Sequence, residues 1–356
     1  MNQDARLRIL LEQCKKEAPA DYGRLQIRQL PKTQHSIAYV ECGDPKGLPL
    51  LCLHGLSISG FYFEQHHDYF VALGVRAIAP CLLGGISIAD AHKNIDDIAS
   101  DIIELLDQLG IDTFDVMGFS WGTLPELALL ARVPQRIGRA GLLGAMTPVT
   151  FIGPQHIAQL KSDIRITLGM VKSMPLVHRG VMWLFCRLPV STFIDQFKDD
   201  NLPANEVSAL APGSDFSKSF SRCVKECLRT GSQFLTHGWR MFLDKPAYAL
   251  RDLANGVDVR LYVAERDNVH LLYFSELIAA ASTGKHVDEV SRTVDVARAN
   301  KVKQTVAEFD LVYSQEKCSI WMLPGAGRIA CMLYFKAALT HLMAQPPEPA
   351  ELRTAL

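Results

Sequence analysis

The stretch Gly118-Phe119-Ser120-Trp121-Gly122 is the part of this sequence best fitted to chemistry. A serine in G-x-S-x-G spacing can stand at the tip of a tight strand-to-helix turn, where its hydroxyl is lifted clear for nucleophilic attack. The string alone says little, because composition produces it in about one chain of this size in ten. Its surroundings say more. Phe114 to Phe119 reads as a strand and Thr123 to Arg132 as a helix, so Ser120 falls on the turn between them. Such a turn is strained, and flanking glycines let neighbouring backbone approach it closely. The helix N-terminus behind the serine offers unpaired N–H groups and a partial positive charge.

These two elements sit in a longer alternation. Arg24 to Leu30 and Ser36 to Glu41 read as strands, followed by Leu48 to Leu53, which is apolar enough to be buried on both faces. Gly74 to Ala79 is a further strand. Ile95, Ile98, Ile102, Leu105, Leu106 and Leu109 then fall at helical spacing before Gly110, a helix stop. After the strand Ala140 to Leu143 the pattern breaks, and from about Thr150 to Leu250 only helical spacing is found. Strands resume at Val257 to Val263 and Cys318 to Leu323. The alternation predicts an α/β fold with a mostly parallel sheet flanked by helices, interrupted by a helical insertion.

A second chemical feature is Leu51-Cys52-Leu53-His54-Gly55-Leu56, an apolar strand ending in His-Gly. Together with the serine turn it resembles the α/β-hydrolase superfamily, over about Leu48 to Thr147 and again Trp239 to Met343. That resemblance implies an α/β-hydrolase core at 21–150 and 251–344 around a helical lid at 151–250; the amphipathic spacing of Leu7, Leu10, Leu11 and Cys14 adds an N-terminal helix at 1–20, and Pro- and Glu-rich composition a flexible tail at 345–356. It implies Ser120 as nucleophile and the backbone N–H groups of Leu56 and Trp121 as oxyanion donors, each worth roughly 10²- to 10³-fold in rate. The family's acid follows the strand after the lid, which points to Asp267, with Glu265 as the fallback. His54 is expected to brace its loop, and it joins Ser57, Met182 and Trp183 as expected lining of the substrate pocket. The run Pro80-Cys81-Leu82-Leu83-Gly84-Gly85 is more apolar than the family's loop at that place.

The third member of the triad departs from the family. Leu323-Pro324-Gly325-Ala326-Gly327 matches the loop that normally delivers a histidine, yet Arg328 follows. A guanidinium stays protonated and has no acceptor, so it cannot be a general base. His270, three residues after Asp267 on the same sheet edge, is the substitute to weigh, with His237 of the lid behind it. His35, His66, His67, His92, His156, His178, His286 and His341 fall on helices, the early hairpin or the lid. The reading favours a degenerate triad lacking its usual base, with Arg328 either paired to Asp267 or receiving an anion above Ser120. Two functions remain open: an acyl hydrolase or transferase acting on a small apolar ester, thioester or amide, or a non-hydrolytic lyase, cyclase or ligand-binding relative that holds an anionic ligand.

Composition limits the partners. Thirty-seven basic residues against 38 acidic give a net charge of -1, which excludes the phosphate attraction that drives nucleic-acid binding. No stretch approaches the roughly 20 apolar residues of a membrane span. No secretory leader is evident, and nine scattered cysteines read as reduced thiols, so a cytoplasmic location is expected. No cofactor and no metal are expected, the i,i+4 pair Cys223 and Cys227 having no second pair to complete a zinc site. The expected partner is a small apolar, or anionic and apolar, organic molecule. Sixty-one positions separate Asp267 from Arg328 (328 − 267), about twice the family's distance. Val287, Val290, Val294, Val302, Val306 and Phe309 suggest that the extra segment at about 282–310 is helical, packing on the lid or on the second subunit of a homodimer.

Overall fold

The computed structural model describes residues 3–17, 23–85, 94–195, 202–299, 304–306, 308–315 and 317–344. The expected tail at 345–356 and His92 lie outside them. Ten strands form one sheet: β1 (Leu25–Leu30), β2 (His35–Gly43), β3 (Leu48–Leu53), β4 (Val75–Pro80), β5 (Phe114–Phe119), β6 (Ile137–Leu143), β7 (Asp258–Ala264), β8 (Thr305–Val306), β9 (Phe309–Gln315) and β10 (Cys318–Leu323). Their spatial order is β1-β2-β4-β3-β5-β6-β7-β10-β9-β8. The six from β4 to β10 run parallel, and antiparallel pairs close both edges. This order and these directions are what the α/β-hydrolase resemblance implies.

Strand periodicity splits the core into two layers. Leu51, Leu53, Ile78 and Val116 point to one face, where helices Ile95–Gln108, Thr123–Arg132 and Leu272–Thr283 cover them. Leu50, Cys52, Ala77 and Met117 point to the other, beneath helix Phe335–Met343 and the N-terminal helix Gln3–Glu17, which buries Leu11 and Cys14. Burying Ile98, Ile102, Leu105 and Leu106 contributes roughly 1.5–3 kcal/mol each, more than any helix-propensity difference among them. Asn94 caps that helix, its side chain accepting from Asp97 N–H while Asp97 accepts from Asn94 N–H. β5 is buried along its whole length between β3 and β6, so its carboxyl end holds Ser120 on a fixed support.

Between β6 and β7 the described residues contain helices and no strand. The principal ones are Ser162–Ser173, Pro175–Phe185, Ala204–Ala209, Asp215–Leu228 and Gln233–Leu243. The apolar loop after β4 lies under this cover: Gly85 N–H donates to Cys227 O at 2.8 Å, and the Cys227 thiol to Leu83 O.

The segment after Asp267 differs from the reading of a purely helical insertion. Helix Val287–Ala299 is present, but Val306 and Phe309 lie on β8 and β9, which extend the sheet beyond β10. The helix packs on Leu272–Thr283 and on β9, rather than on the lid. Valine spacing was compatible with both structures, and a sheet edge that pairs with β9 decides for the strand.

Candidate active site

Ser120 has φ +53, a left-handed conformation uncommon for a residue with a side chain, at the turn between β5 and the helix Thr123–Arg132. Gly122 makes the turn fit. A Cβ there would lie 2.4 Å from Leu53 O and 2.7 Å from His54 O, so only glycine lets the turn press against the end of β3. Thr123 secures it from below, its hydroxyl donating to Ser120 O at 2.7 Å and accepting from Met146 N–H at 2.9 Å.

An imidazole stands beside the serine. His270 Nε2 is 2.8 Å from Ser120 Oγ, and His270 Nδ1 is 2.6 Å from Asp267 Oδ2. Asp267 also accepts from the N–H groups of Val269 and His270 through Oδ1, so three hydrogen bonds orient its buried carboxylate. Because the carboxylate accepts, Nδ1 carries the proton and the Nε2 lone pair faces the serine hydroxyl. The expected degenerate triad is therefore corrected: the loop after β7 supplies both acid and imidazole. The non-hydrolytic reading loses one of its grounds, the missing imidazole, and keeps Arg328 and the apolar loop after β4. A signal was present in the sequence, since an aspartate bonding to amides two and three residues on is a turn that folds its own neighbour back. Room for the ring comes from Gly144, φ +55, where a Cβ would lie 3.0 Å from His270 Cγ.

Arg328 does not pair with the acid. It lines the cavity in front of Ser120, on the loop after β10. The helical insertion holds that loop: buried Glu206, on Ala204–Ala209, accepts from the N–H groups of Gly327 and Ile329. Burial pushes the Glu206 carboxyl up, while those two amides and Arg328 pull it back down. Glu265 is exposed and turned away, accepting from Gly325 N–H at 2.8 Å.

The cavity measures about 370 Å³, within the range of small-molecule sites. Leu56, Ser57, Trp121 and Met146 form its floor with Ser120, and the lid supplies Met182, Phe185, Leu235 and Trp239. Two expected lining residues are elsewhere. His54 is buried with both ring nitrogens engaged, Nδ1 with Gly55 O at 2.8 Å and Nε2 accepting from Leu82 N–H at 2.9 Å, so it ties the β3 loop to the β4 loop. Burial lowers it to about 4 and keeps it neutral. Trp183 is on the outer side of the lid, half exposed, with the Arg187 guanidinium 3.5 Å from its ring centroid. His178, set aside in the sequence by its place among the helical residues, lines the cavity and hydrogen-bonds Thr236. A wider groove beside Asp215–Leu228 holds no serine–imidazole pair. Among the described residues no cluster of His, Cys, Asp and Glu is arranged to hold a metal.

Residue Glu126 underlies the turn. It is fully buried against Gly118, and burial raises its carboxyl far above the usual range, only partly offset by the Gly118 amide.

Comparison with known proteins agrees with this architecture. Residues 49–171 match the family model of the α/β hydrolase fold. A probable proline iminopeptidase of Leptolyngbya boryana is 34% identical over 123 residues, 33% of this chain and 37% of that protein. A proline iminopeptidase of Xylella fastidiosa (strain Temecula1) is 29% identical over 136 residues, 35% and 40% of the two chains. The match thus spans less than half the length of these relatives. Among solved structures, a hydrolase from Pseudomonas aeruginosa aligns at TM-score 0.57 and 17% identity over 91% of this chain and 99% of that one. A structure reported for carboxylesterases of Nitrososphaera gargenis aligns at TM-score 0.58 and 14% identity, over 89% and 96%. At these identities the solved structures speak to the fold alone.

Proposed function

We propose that this chain, which has the α/β-hydrolase fold, is a serine-dependent acyl hydrolase or acyltransferase acting on a small, largely apolar ester, thioester or amide. The observation that supports this best is the 2.8 Å contact between His270 Nε2 and Ser120 Oγ. In this reading Ser120 Oγ attacks the acyl carbon and His270 takes its proton. Asp267 stabilises the imidazolium, and the backbone N–H groups of Leu56 and Trp121 hold the oxyanion. His270 then gives the proton to the leaving alcohol, thiol or amine. A water or acceptor, deprotonated by the same imidazole, releases the acyl group and restores Ser120. The charge of Arg328 favours a substrate that carries a carboxylate or other anion away from the reacting carbonyl.

The iminopeptidase relatives make a prolyl amide the first amide to try. A panel of p-nitrophenyl esters with acyl chains of two to ten carbons, with and without a terminal carboxylate, and proline p-nitroanilide would test the proposal. Turnover of one class that is lost in Ser120→Ala supports it. Absence of turnover on every substrate, with no fluorophosphonate adduct on the intact protein, contradicts it.

A further inference from the structure

The lid has an outer face as distinctive as its inner one. Helix Pro175–Phe185 turns His178, Met182 and Phe185 towards the serine cavity. The rest of its circumference is open to solvent, with Leu176 80% exposed and Val177, Val181, Trp183 and Leu184 also exposed. Ile166, Met174 and Leu188 continue the surface. Eight of the thirteen exposed large apolar side chains among the described residues thus fall between 166 and 188, forming one district rather than a scatter.

The charge of the same district is one-sided. From Ile164 to Ile194, between exposed Asp163 and Asp195 at its two ends, the chain has no aspartate or glutamate, while Arg165, Lys172, Arg179 and Arg187 are all exposed. The whole chain is almost neutral, so this is a local choice. A short helix carrying tryptophan and leucine on open faces, collared by arginine and lysine, suits the boundary between lipid headgroups and acyl chains. At 11 residues it cannot span a bilayer. A second copy of the face fits less well, because it would set four cations against four with only the flanking Asp163 and Asp195 to pair them.

We propose that this outer face docks on an anionic lipid surface, with Leu176, Val177, Val181, Trp183 and Leu184 entering the headgroup region and the four cations meeting lipid phosphates. The helix that docks is the helix whose other side lines the serine cavity, so docking would bring the cavity rim to the apolar phase.

Flotation of the purified chain with vesicles tests this without turnover, and so independently of the serine chemistry. The wild type should float with phosphatidylcholine vesicles containing phosphatidylglycerol, remain at the bottom with phosphatidylcholine alone, and be released by salt. Trp183 emission should shift to the blue on binding, a shift absent in Trp183→Phe. Each cation replaced by glutamine should weaken partitioning by roughly fivefold. Leu176→Asp with Leu184→Asp should abolish flotation while leaving the thermal melt and the fluorophosphonate adduct of the wild type in place. Failure of the wild type to float with anionic vesicles would overturn the proposal. So would flotation of the double variant equal to wild type, or a wild-type dimer that the two aspartates convert to monomer, which would assign the face to a second copy.

Discussion

Asp267 and His270 stand three residues apart on one loop, and that loop folds so that Asp267 Oδ2 meets His270 Nδ1 at 2.6 Å while His270 Nε2 meets Ser120 Oγ at 2.8 Å. Acid and imidazole thus travel together after β7. The loop after β10, which is expected to deliver the imidazole, is left to present Arg328 to the cavity. An arginine where the family's histidine is expected is therefore compatible with a serine, an imidazole and a carboxylate in continuous hydrogen-bonding contact.

Gly144 makes room for that arrangement and should be intolerant of even one carbon. A Cβ at this position would press on the His270 ring, and φ +55 adds strain for any residue with a side chain. Gly144→Ala should cost about 1–2 kcal/mol of stability and, by displacing the imidazole, about 10²-fold in kcat. Denaturation and steady-state kinetics on the ester panel check the two effects separately.

Arg328 should govern selectivity rather than chemistry. Removing a charge-assisted contact worth about 1.5–3 kcal/mol lowers kcat/KM by roughly 10- to 150-fold. Arg328→Gln should show that loss for esters bearing a terminal carboxylate and leave neutral esters within a few-fold. Equal losses on both classes would remove the arginine from substrate recognition.

Glu206 ties the lid to the Arg328 loop. Glu206→Ala strands the N–H groups of Gly327 and Ile329, and each buried unpaired amide costs about 1–3 kcal/mol. Urea denaturation should report the sum, and Glu206→Gln, which keeps one acceptor oxygen, should recover part of it.

Acid should weaken the fold through its buried neutral histidines. Burial lowers His54, His66 and His341 to about 4, Lys336 adding to the effect at His66 and Arg260 at His341. At these three groups the unfolded chain binds more protons between pH 6.5 and about 4, so the stability they contribute is full above that window and is lost within it as pH drops, by about 1.4 kcal/mol per pH unit for each group. Buried Glu126, Glu206 and Glu276, whose carboxyls burial raises, act in the opposite sense. Urea denaturation of wild type and His66→Phe across the window isolates one histidine: the wild type should lose about 1.4 kcal/mol per pH unit more than the variant, and equal slopes would contradict it.

Several features of this protein were legible in the chain itself because their signals are local. The strand Phe114 to Phe119, the turn at Ser120 and the helix from Thr123 are written in adjacent residues, with apolar runs bounded by glycine. The sheet and the helical stretch between β6 and β7 follow from where alternation starts and stops. β9 is not legible in the chain, because valines four apart suit a helix as well as a loose strand, and only its partner β10 selects the latter. The contact of His270 with Ser120 spans 150 positions, so no local signal carries it, and the family pattern points to Arg328 instead. Hydrophobicity alone puts Trp183 in the pocket, since it does not reveal which side of a helix faces inwards.

The most direct test is the rate at which a fluorophosphonate modifies Ser120, measured by intact mass in the wild type, His270→Ala and Arg328→Ala. If His270 is the base, His270→Ala should slow labelling by about 10²- to 10⁴-fold, whereas Arg328→Ala should stay within a few-fold of wild type. Labelling of His270→Ala at the wild-type rate, or abolition of labelling by Arg328→Ala in a folded protein, would contradict the assignment.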